Sequence, residues 1–267
     1  MSGGRRSRGP RNLDLSGRDL AILTSIGRYR LLSAGQIERL HFTGHHVSQM
    51  SARRRCQAVL RRLARAELLD RLERRAGGVR AGSTGFIYRL TTRGRRAIGD
   101  RGRGTRRQPH ERWTDHTLDC AEIAVRLQAT QVAGLVTAMT ITPEPATWRR
   151  FIAPRNQVEV LKPDLLVEVI TTTRLELRWF VEVDRATEHL PVILRKCQQY
   201  ESYWRSGSEA HPVFPRVLWS VPDESRALAI TGLIEQNRGL TPALFVVATT
   251  EQTTSLLLGQ HPTSSST

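Results

Sequence analysis

The sequence predicts an α+β protein of two bodies, a small helical one closed by a β-hairpin and an α/β one built on a mixed central sheet. Charge is the first observation behind this division. Residues 1–112 carry 27 arginines, no lysine and 8 acids, a net of about +19, whereas residues 113–267 carry 12 arginines, 2 lysines and 17 acids, a net of about −3. The order of elements is the second: capped short helices and a Gly/Arg-rich hairpin come first, then a helix, strands, a helix and a strand. The third is the total of 267 residues with 39% hydrophobic content, enough to pack a core in each body. A codon bias towards arginine explains Arg in place of Lys, but not an excess that stops near residue 112. Basic charge confined to one folded segment is the electrostatic footprint of a polyanion partner, above all nucleic acid.

In the basic half, Ser16 caps a first helix running to about Tyr29, with Leu20, Leu23, Ile26 and Gly27 on one side. Ser33 and Gln36 form a capping box for a second, short helix carrying Ile37 and Leu40. HFTGHHVSQ reads as a loop, and its His41, His45 and His46 have no acid or Cys nearby to make a metal site. Ser51 is expected to cap a longer helix to about Ala66, with Cys56, Val59, Leu60, Leu63 and Ala64 inward and Arg53, Arg54, Arg55, Arg61, Arg62 and Arg65 outward. Strands Leu68–Leu72 and Phe86–Leu90 flank the tip ERRAGGVRAGSTG, and Thr92 caps a last helix, TRGRRAI.

Three helices and then a hairpin with a basic tip is the order of a winged helix-turn-helix, and FIYRLTTRGRRAI resembles the wing strand and following helix of bacterial winged-helix DNA-binding proteins. In that fold the third helix enters the major groove. The DNA-contacting candidates are therefore Arg53, Arg54, Arg55 and Arg62 on the helix, with Arg74, Arg75 and Arg80 on the wing. The expected partner is double-stranded DNA, with RNA or a protein as the alternative. Phe42, Phe86, Tyr29, Tyr88 and Trp113 are too few to make a single-strand stacking track. The domain plan is a basic arm over 1–12, the winged helix over 13–98, a Gly/Arg-rich linker over 99–112, the α/β domain over 113–258 and a tail over 259–267.

The acidic half reads as a helix from Thr114 to about Gln131, a strand Leu135–Ile141, a Pro-rich loop TPEPATW, strands Val158–Ile170 and Leu175–Asp184 around the turn TTTR, a helix from about Thr187 to Arg205, strand Arg216–Val221, helix Asp223–Gln236, strand Ala243–Ala248 and a short apolar helix. Two segments carry the chemistry, LKPDLLVEV and WFVEVDRATE. Pro163 suits the start of a strand rather than its middle. Glu182 and Asp184, two apart, share a sheet face. If their strands are neighbours, Asp164, Glu182 and Asp184 converge into a hard-oxygen site for Mg²⁺ able to support phosphodiester hydrolysis.

Pro163–Asp164 followed by Glu182–Val183–Asp184 resembles the PD-(D/E)xK nuclease superfamily, whose core runs α-β-β-β-α-β. That resemblance implies Mg²⁺, Asp164, Glu182 and Asp184 as metal ligands, and Glu122 as a further acid on the preceding helix. Asp184 stands where the family's lysine is expected. Some members take that lysine from the following helix, where this chain has Lys196, one of its two lysines, and Gln199 and Tyr203 in a Gln-x₃-Tyr spacing. Lys196 is otherwise a surface helix residue, and His116 and Asp119 read as helix surface. Taken end to end, the winged-helix start, HTLDCAEIAVRL, PDLLVEV, EVDRATE and KCQQYESYW resemble the replication-relaxation family of actinobacterial and plasmid-borne proteins. The resemblance implies a role in plasmid or mobile-element replication or DNA relaxation.

Two functions follow. One is a metal-dependent DNA endonuclease or nickase; the other is a non-catalytic DNA-binding regulator or accessory factor with a degenerate nuclease fold. A tyrosine relaxase acting through Tyr200 or Tyr203 lacks a paired-His motif, and no GxxxxGK[ST] loop supports ATP use. No apolar run approaches the roughly 20 residues of a membrane span, the basic start lacks the apolar stretch of a secretory signal, and Cys56, Cys120 and Cys197, far apart and without CxxC spacing, are expected to make neither a disulfide framework nor a zinc site. A cytoplasmic protein is expected, with a homodimer and replication or conjugation proteins as candidate protein partners.

Overall fold

A computed structural model describes residues 14–43, 48–72, 86–100 and 111–260. The chain is a mixed α+β protein of two compact units, Met1–Pro109 and His110–Thr267. The basic arm, the wing tip with Arg74, Arg75 and Arg80, His45 and His46, most of the linker and residues 261–267 lie outside the described residues.

In the first unit, α1 (Gly17–Tyr29) starts at Ser16, which forms a capping box with Asp19. The strand β1 (Leu32–Ser33) leads into α2 (Ala34–His41), whose box is Ser33 with Gln36. Helix α3 (Gln49–Arg65) begins one turn earlier than the sequence suggests: Ser48 is the cap, its Oγ accepting the Ser51 N–H at 3.3 Å. Both serines satisfy the cap preference, and the chain uses the first because Gln49, Met50 and Ser51 then contribute helical turns that Ser51 as cap would forfeit. Strands β2 (Leu69–Leu72) and β3 (Ile87–Leu90) pair antiparallel, and β1 adds to the other side of β3. Helix α4 (Thr92–Ala97) is capped by Thr91 rather than Thr92, the Thr91 Oγ1 accepting from Gly94 N at 3.0 Å. This order is compatible with the winged helix-turn-helix expected.

Ile22, Leu23, Ile26, Leu60 and Leu63 are fully buried in this unit, while Leu20 points outward at 38% exposure. Asp19 occupies the place that spacing assigns to an apolar residue. It is 1% exposed and bonded by the Ser16 N–H and the Arg62 guanidinium, so α1 and α3 are tied by a buried ion pair. Arg62 is thus committed to the fold. His41 ends α2 and shares a hydrogen bond with Ser25 Oγ at 3.0 Å, so it belongs to a helix rather than to the expected loop.

The second unit opens with α5 (Glu111–Val132) and β4 (Val136–Pro143). A hairpin that the sequence did not announce follows, β5 (Arg149–Ala153) and β6 (Gln157–Leu161). The predicted strand Val158–Ile170 is therefore two strands, β6 and β7 (Leu165–Thr171), broken at Lys162–Asp164. Pro163 explains the break, since its ring removes the N–H that a continuous ladder needs. Then come β8 (Glu176–Val183), α6 (Leu190–Ser206) with a proline in its first turn, β9 (Arg216–Val221), α7 (Glu224–Gln236), β10 (Phe245–Thr249) and α8 (Thr253–Leu257).

The sheet order is β10-β9-β8-β7-β4. Strands β4, β7 and β8 run antiparallel to one another in turn, and β8, β9 and β10 run parallel. Leu165, Leu166, Val167 and Val169 of β7 are all buried, as for a strand covered on both faces. One face packs α6 and α7 on Phe180, Val217, Trp219 and Val221, and the hairpin closes over α6 through Phe151 and Tyr203, ring centroids 5.2 Å apart. Helix α5 packs on β4 and β8.

Gly94 marks the tightest packing in the first unit. A Cβ there would lie 2.1 Å from the Leu68 carbonyl oxygen, whereas one at Gly17 would meet nothing within 4 Å. Gly94→Ala should lower the thermal unfolding midpoint, by a free energy of about 2–3 kcal/mol as for other overpacked sites, and Gly17→Ala should not. Far-UV circular dichroism melts of the two variants check this.

A buried carboxylate and lysine cluster as candidate active site

The site begins where the β7–β8 ladder stops. Leu165 stands opposite Val181, so a continued register would set Pro163 against Val183. The Pro163 carbonyl is instead taken by Thr147 Oγ1 at 2.6 Å, and the Val183 N–H is taken by Asp164 Oδ2 at 2.8 Å. The carboxylate stands in for the ladder that proline interrupts. Its other oxygen, Oδ1, meets His116 Nε2 of α5 at 3.1 Å. Burial pushes the Asp164 carboxyl up, but His116, the Lys196 charge and the Val183 N–H outweigh it and hold the group below its ordinary value. The same pair raises His116 against its own burial, which acts to lower it.

Glu182, on β8, is 4% exposed. Lys196 and Tyr200, one helical turn apart on α6, both reach it: Lys196 Nζ lies 3.0 Å from Oε2, and the Tyr200 hydroxyl donates to Oε1. Lys196 also donates to the Lys162 carbonyl at 2.9 Å. Burial and the neighbouring Asp164 charge push the Glu182 carboxyl up to about 7, against the pull of Lys196 and Tyr200. Lys196 moves up too: burial disfavours its charge, but Glu182 and Asp164 favour it more. Of the ion pair, the glutamate is the member whose charge is disfavoured, by burial first and by the neighbouring Asp164 charge second.

Asp184 goes elsewhere. Both its oxygens are held by Arg226 of α7, Oδ2 by Nε at 2.6 Å and Oδ1 by Nη2 at 3.1 Å, and Arg226 also bonds the Glu188 carbonyl at 2.7 Å. Glu122 pairs with Arg126 on its own helix at 3.1 Å. Glu182 and Lys196 thus pair, with Asp164 close enough to act electrostatically on both, while Asp184 and Glu122 are bound to arginines. In the Gln199–Tyr203 spacing it is not Tyr203 that reaches the cluster, since its hydroxyl donates to Glu209 at 2.8 Å. The spacing that matters is Lys196 and Tyr200, four apart and so on one helix face. His116 joins the cluster instead of lying on the helix surface, whereas Asp119 pairs with Arg185 at 2.8 Å. Sequence reasoning missed Cys120, one turn after His116 with Sγ 3.7 Å from Nε2. The i, i+4 spacing of His116 and Cys120 is the signal that could have found it.

A family profile described as replication-relaxation matches residues 23–217. The chain belongs to the replication-relaxation family. Membership associates it with replication or relaxation of plasmids and mobile elements, and the match takes in the carboxylates, Lys196 and the first unit from the middle of α1 onward. No curated protein and no solved structure matches the chain. No helix among the described residues is long and apolar enough to cross a membrane.

In this replication-relaxation protein the first unit presents a concavity of about 670 Å³ between α2, α3 and the strands, with Arg53, Arg61, Arg65 and Arg71 on its wall. Arg71 lies over the Phe86 ring at 4.1 Å. Arg54 and Arg55 are exposed outside that lining. Sequence reasoning named Arg53 but not Arg61, Arg65 or Arg71 as candidates, because which side of α3 becomes concave depends on the strands that pack beside it.

The raised Glu182 carboxyl has a stability consequence. Between the ordinary glutamate value of 4.5 and its own value of about 7 the native state keeps a proton that the unfolded chain has released. Stability should therefore fall as pH rises through that window and level off above it. All five tryptophans, Trp113, Trp148, Trp179, Trp204 and Trp219, lie in the second unit, so urea unfolding followed by tryptophan fluorescence reads this unit. Glu182→Gln should flatten the slope; the wild-type slope persisting in that variant would contradict a buried, protonated Glu182.

Proposed function

We propose that this protein binds duplex DNA through its arginine-rich first unit and hydrolyses a phosphodiester bond, by nicking or cutting, at the Asp164–Glu182–Lys196 cluster. The observation that carries the reading is the buried Glu182–Lys196 ion pair at the broken end of β7 and β8, with the Asp164 carboxylate close enough to act electrostatically on both members. The donor set fits Mg²⁺: Asp164 and Glu182 offer hard carboxylate oxygens, each with lone-pair capacity beyond its present hydrogen bond, and hard divalent ions bind through one or two such groups. Asp184, held by Arg226 through both oxygens, is left out of that set. Bound there, Mg²⁺ supplies Lewis-acid activation of water and charge stabilisation at the scissile phosphate.

The chain's own residues do the rest. Asp164 is fixed by the Val183 N–H and His116, so its carboxylate does not need to reorganise when a phosphate arrives. Lys196 directs two of its three N–H groups to Glu182 and the Lys162 carbonyl, leaving a third for a phosphate oxygen. Tyr200 holds Glu182 at its far oxygen. The competing reading is a non-catalytic DNA-binding regulator or accessory factor. It draws on one observation, the capture of Asp184 by Arg226 at the position where the PD-(D/E)xK pattern that the sequence resembles calls for lysine.

Supercoiled plasmid incubated with the full chain and Mg²⁺ or Mn²⁺ separates the two readings. Open circles should form, and Asp164→Ala or Lys196→Ala should slow their formation at least roughly 100-fold, the order found when a positioned charge is removed, with tryptophan fluorescence unchanged. Nicking that is absent with both metals, or that survives Asp164→Ala, leaves the regulator reading. Binding is tested separately. Affinity for duplex DNA should fall steeply with salt, and Arg53→Ala with Arg61→Ala and Arg65→Ala should weaken it and shallow the salt slope by roughly one for each phosphate no longer neutralised. Arg62→Ala should act instead through stability, by stranding Asp19.

A further inference from the structure

We propose that His116, Cys120 and Asp164 form a binding site for one thiophilic divalent metal ion of the Zn²⁺ class. The site shares Asp164 and His116 with the proposed hydrolytic cluster but rests on its own donor set. His116 Nε2, Cys120 Sγ and an Asp164 carboxylate oxygen all lie within 4.8 Å of one another. An imidazole nitrogen, a thiolate sulfur and one carboxylate oxygen are a zinc donor set, and the nitrogen and sulfur set it apart from a magnesium site.

Two of the three spacings are close to those a single tetrahedral ion imposes, and the third falls within 4.8 Å. With metal–ligand lengths of about 2.0 Å to nitrogen or oxygen and 2.3 Å to sulfur, tetrahedral angles separate N from O by about 3.3 Å and N from S by about 3.5 Å. The observed separations are 3.1 Å from His116 Nε2 to Asp164 Oδ1 and 3.7 Å from Nε2 to Cys120 Sγ. Two of the ligands come from one face of α5, one turn apart, which fixes their mutual distance before the third arrives. Asp164 is already oriented for the task, because Oδ2 is occupied by the Val183 N–H and Oδ1 is the oxygen turned towards His116.

Hydrogen bonding leaves one member of this trio, the Cys120 thiol, with at most a weak contact. Both Asp164 Oδ1 and Cys120 Sγ approach the same ring nitrogen, Nε2. A neutral imidazole nitrogen is either a donor or an acceptor. Donating to Asp164, it leaves the thiol proton without an acceptor there; accepting from Cys120, it faces a carboxylate with no proton between them. One cation at the centre resolves all three contacts, with Cys120 releasing its proton to solvent. Glu182 and Glu144 are close enough to act electrostatically on both His116 and Cys120, a negative surround that favours a cation. Three protein ligands leave a fourth position open, the pattern of exchangeable rather than purely structural zinc.

Cobalt substitution reads the site without DNA, so its failure would leave the nicking test untouched. Tag-free full-length protein, stripped of metal and titrated with Co²⁺, should take up one equivalent with the intense visible absorption of tetrahedral cobalt and a thiolate-to-cobalt charge-transfer band. One equivalent of Zn²⁺ should bleach both. Cys120→Ser should abolish the charge-transfer band, while Cys56→Ser and Cys197→Ser keep it. His116→Ala should weaken Co²⁺ binding on the order of 100-fold, with apo-protein tryptophan fluorescence matching wild type. Weak octahedral absorption, a charge-transfer band that survives Cys120→Ser, or no Co²⁺ uptake overturns the proposal.

Discussion

The interruption of one ladder at Pro163 is the constraint on which the second unit's chemistry rests. A continuous strand from β6 to β7 would leave Asp164 as an ordinary strand residue, its side chain pointing to a sheet face and its backbone paired. Because proline has no N–H to give, the chain breaks, and the freed Val183 N–H at the end of β8 needs an acceptor. Asp164 supplies it with a carboxylate oxygen. That single hydrogen bond draws an acid to the point where β7, β8 and α5 meet, and the low-polarity surroundings then decide how everything nearby is charged. A buried carboxylate is tolerable only with cations and donors around it, so His116 and Lys196 carry raised affinities for their protons and Glu182 gives up part of its charge.

The fate of the three acids follows from where β8 ends. Glu182 lies within the strand and faces α6, where Lys196 and Tyr200 sit one turn apart. Asp184 lies just past it, with its N–H bonded to the Ser220 carbonyl of β9 at 2.9 Å. Its side chain then meets α7 instead, and Arg226 grips it in a fork that matches a carboxylate. Shared parity on a strand puts two side chains on one face; it does not say that the same helix covers both. Two different helices lie over that face, and each brings its own cation.

This is also why the site is only partly legible in the sequence. Pro163 announces a strand start, Glu182 and Asp184 announce a shared face, and Lys196 stands out as one of two lysines in the chain. Those are local signals. Pairing His116 with Asp164 spans 48 positions, and nothing in the spacing of either residue specifies that contact. The capping boxes at Ser16 and Ser33 are readable because both partners lie within one turn, whereas the choices of Ser48 over Ser51 and Thr91 over Thr92 pit two adequate caps against each other; Thr91 is fixed by a contact distant in sequence, its hydroxyl donating to the Glu67 and Leu68 carbonyls. The β5–β6 hairpin is hidden because Arg149, Arg150 and Asn156 interrupt its apolar alternation, and its inward residues, Phe151, Ala153 and Leu161, gain their burial only from α6.

The two units solve opposite electrostatic problems with the same side chain. In the second, arginines neutralise acids: Arg226 holds Asp184, Arg185 holds Asp115 and Asp119, and Arg178 reaches Glu168 and Glu209. In the first, acids are too few to do this for the arginines, and Asp19, inside the α1–α3 contact, takes Arg62. Repulsion among Arg53, Arg54, Arg55, Arg61 and Arg65 along one helix costs folding free energy. A polyanion laid against α3 would remove that cost and release its own counterions in doing so. Excess charge of one sign, held on a rigid helix, is the arrangement that the proposed binding of duplex DNA calls for.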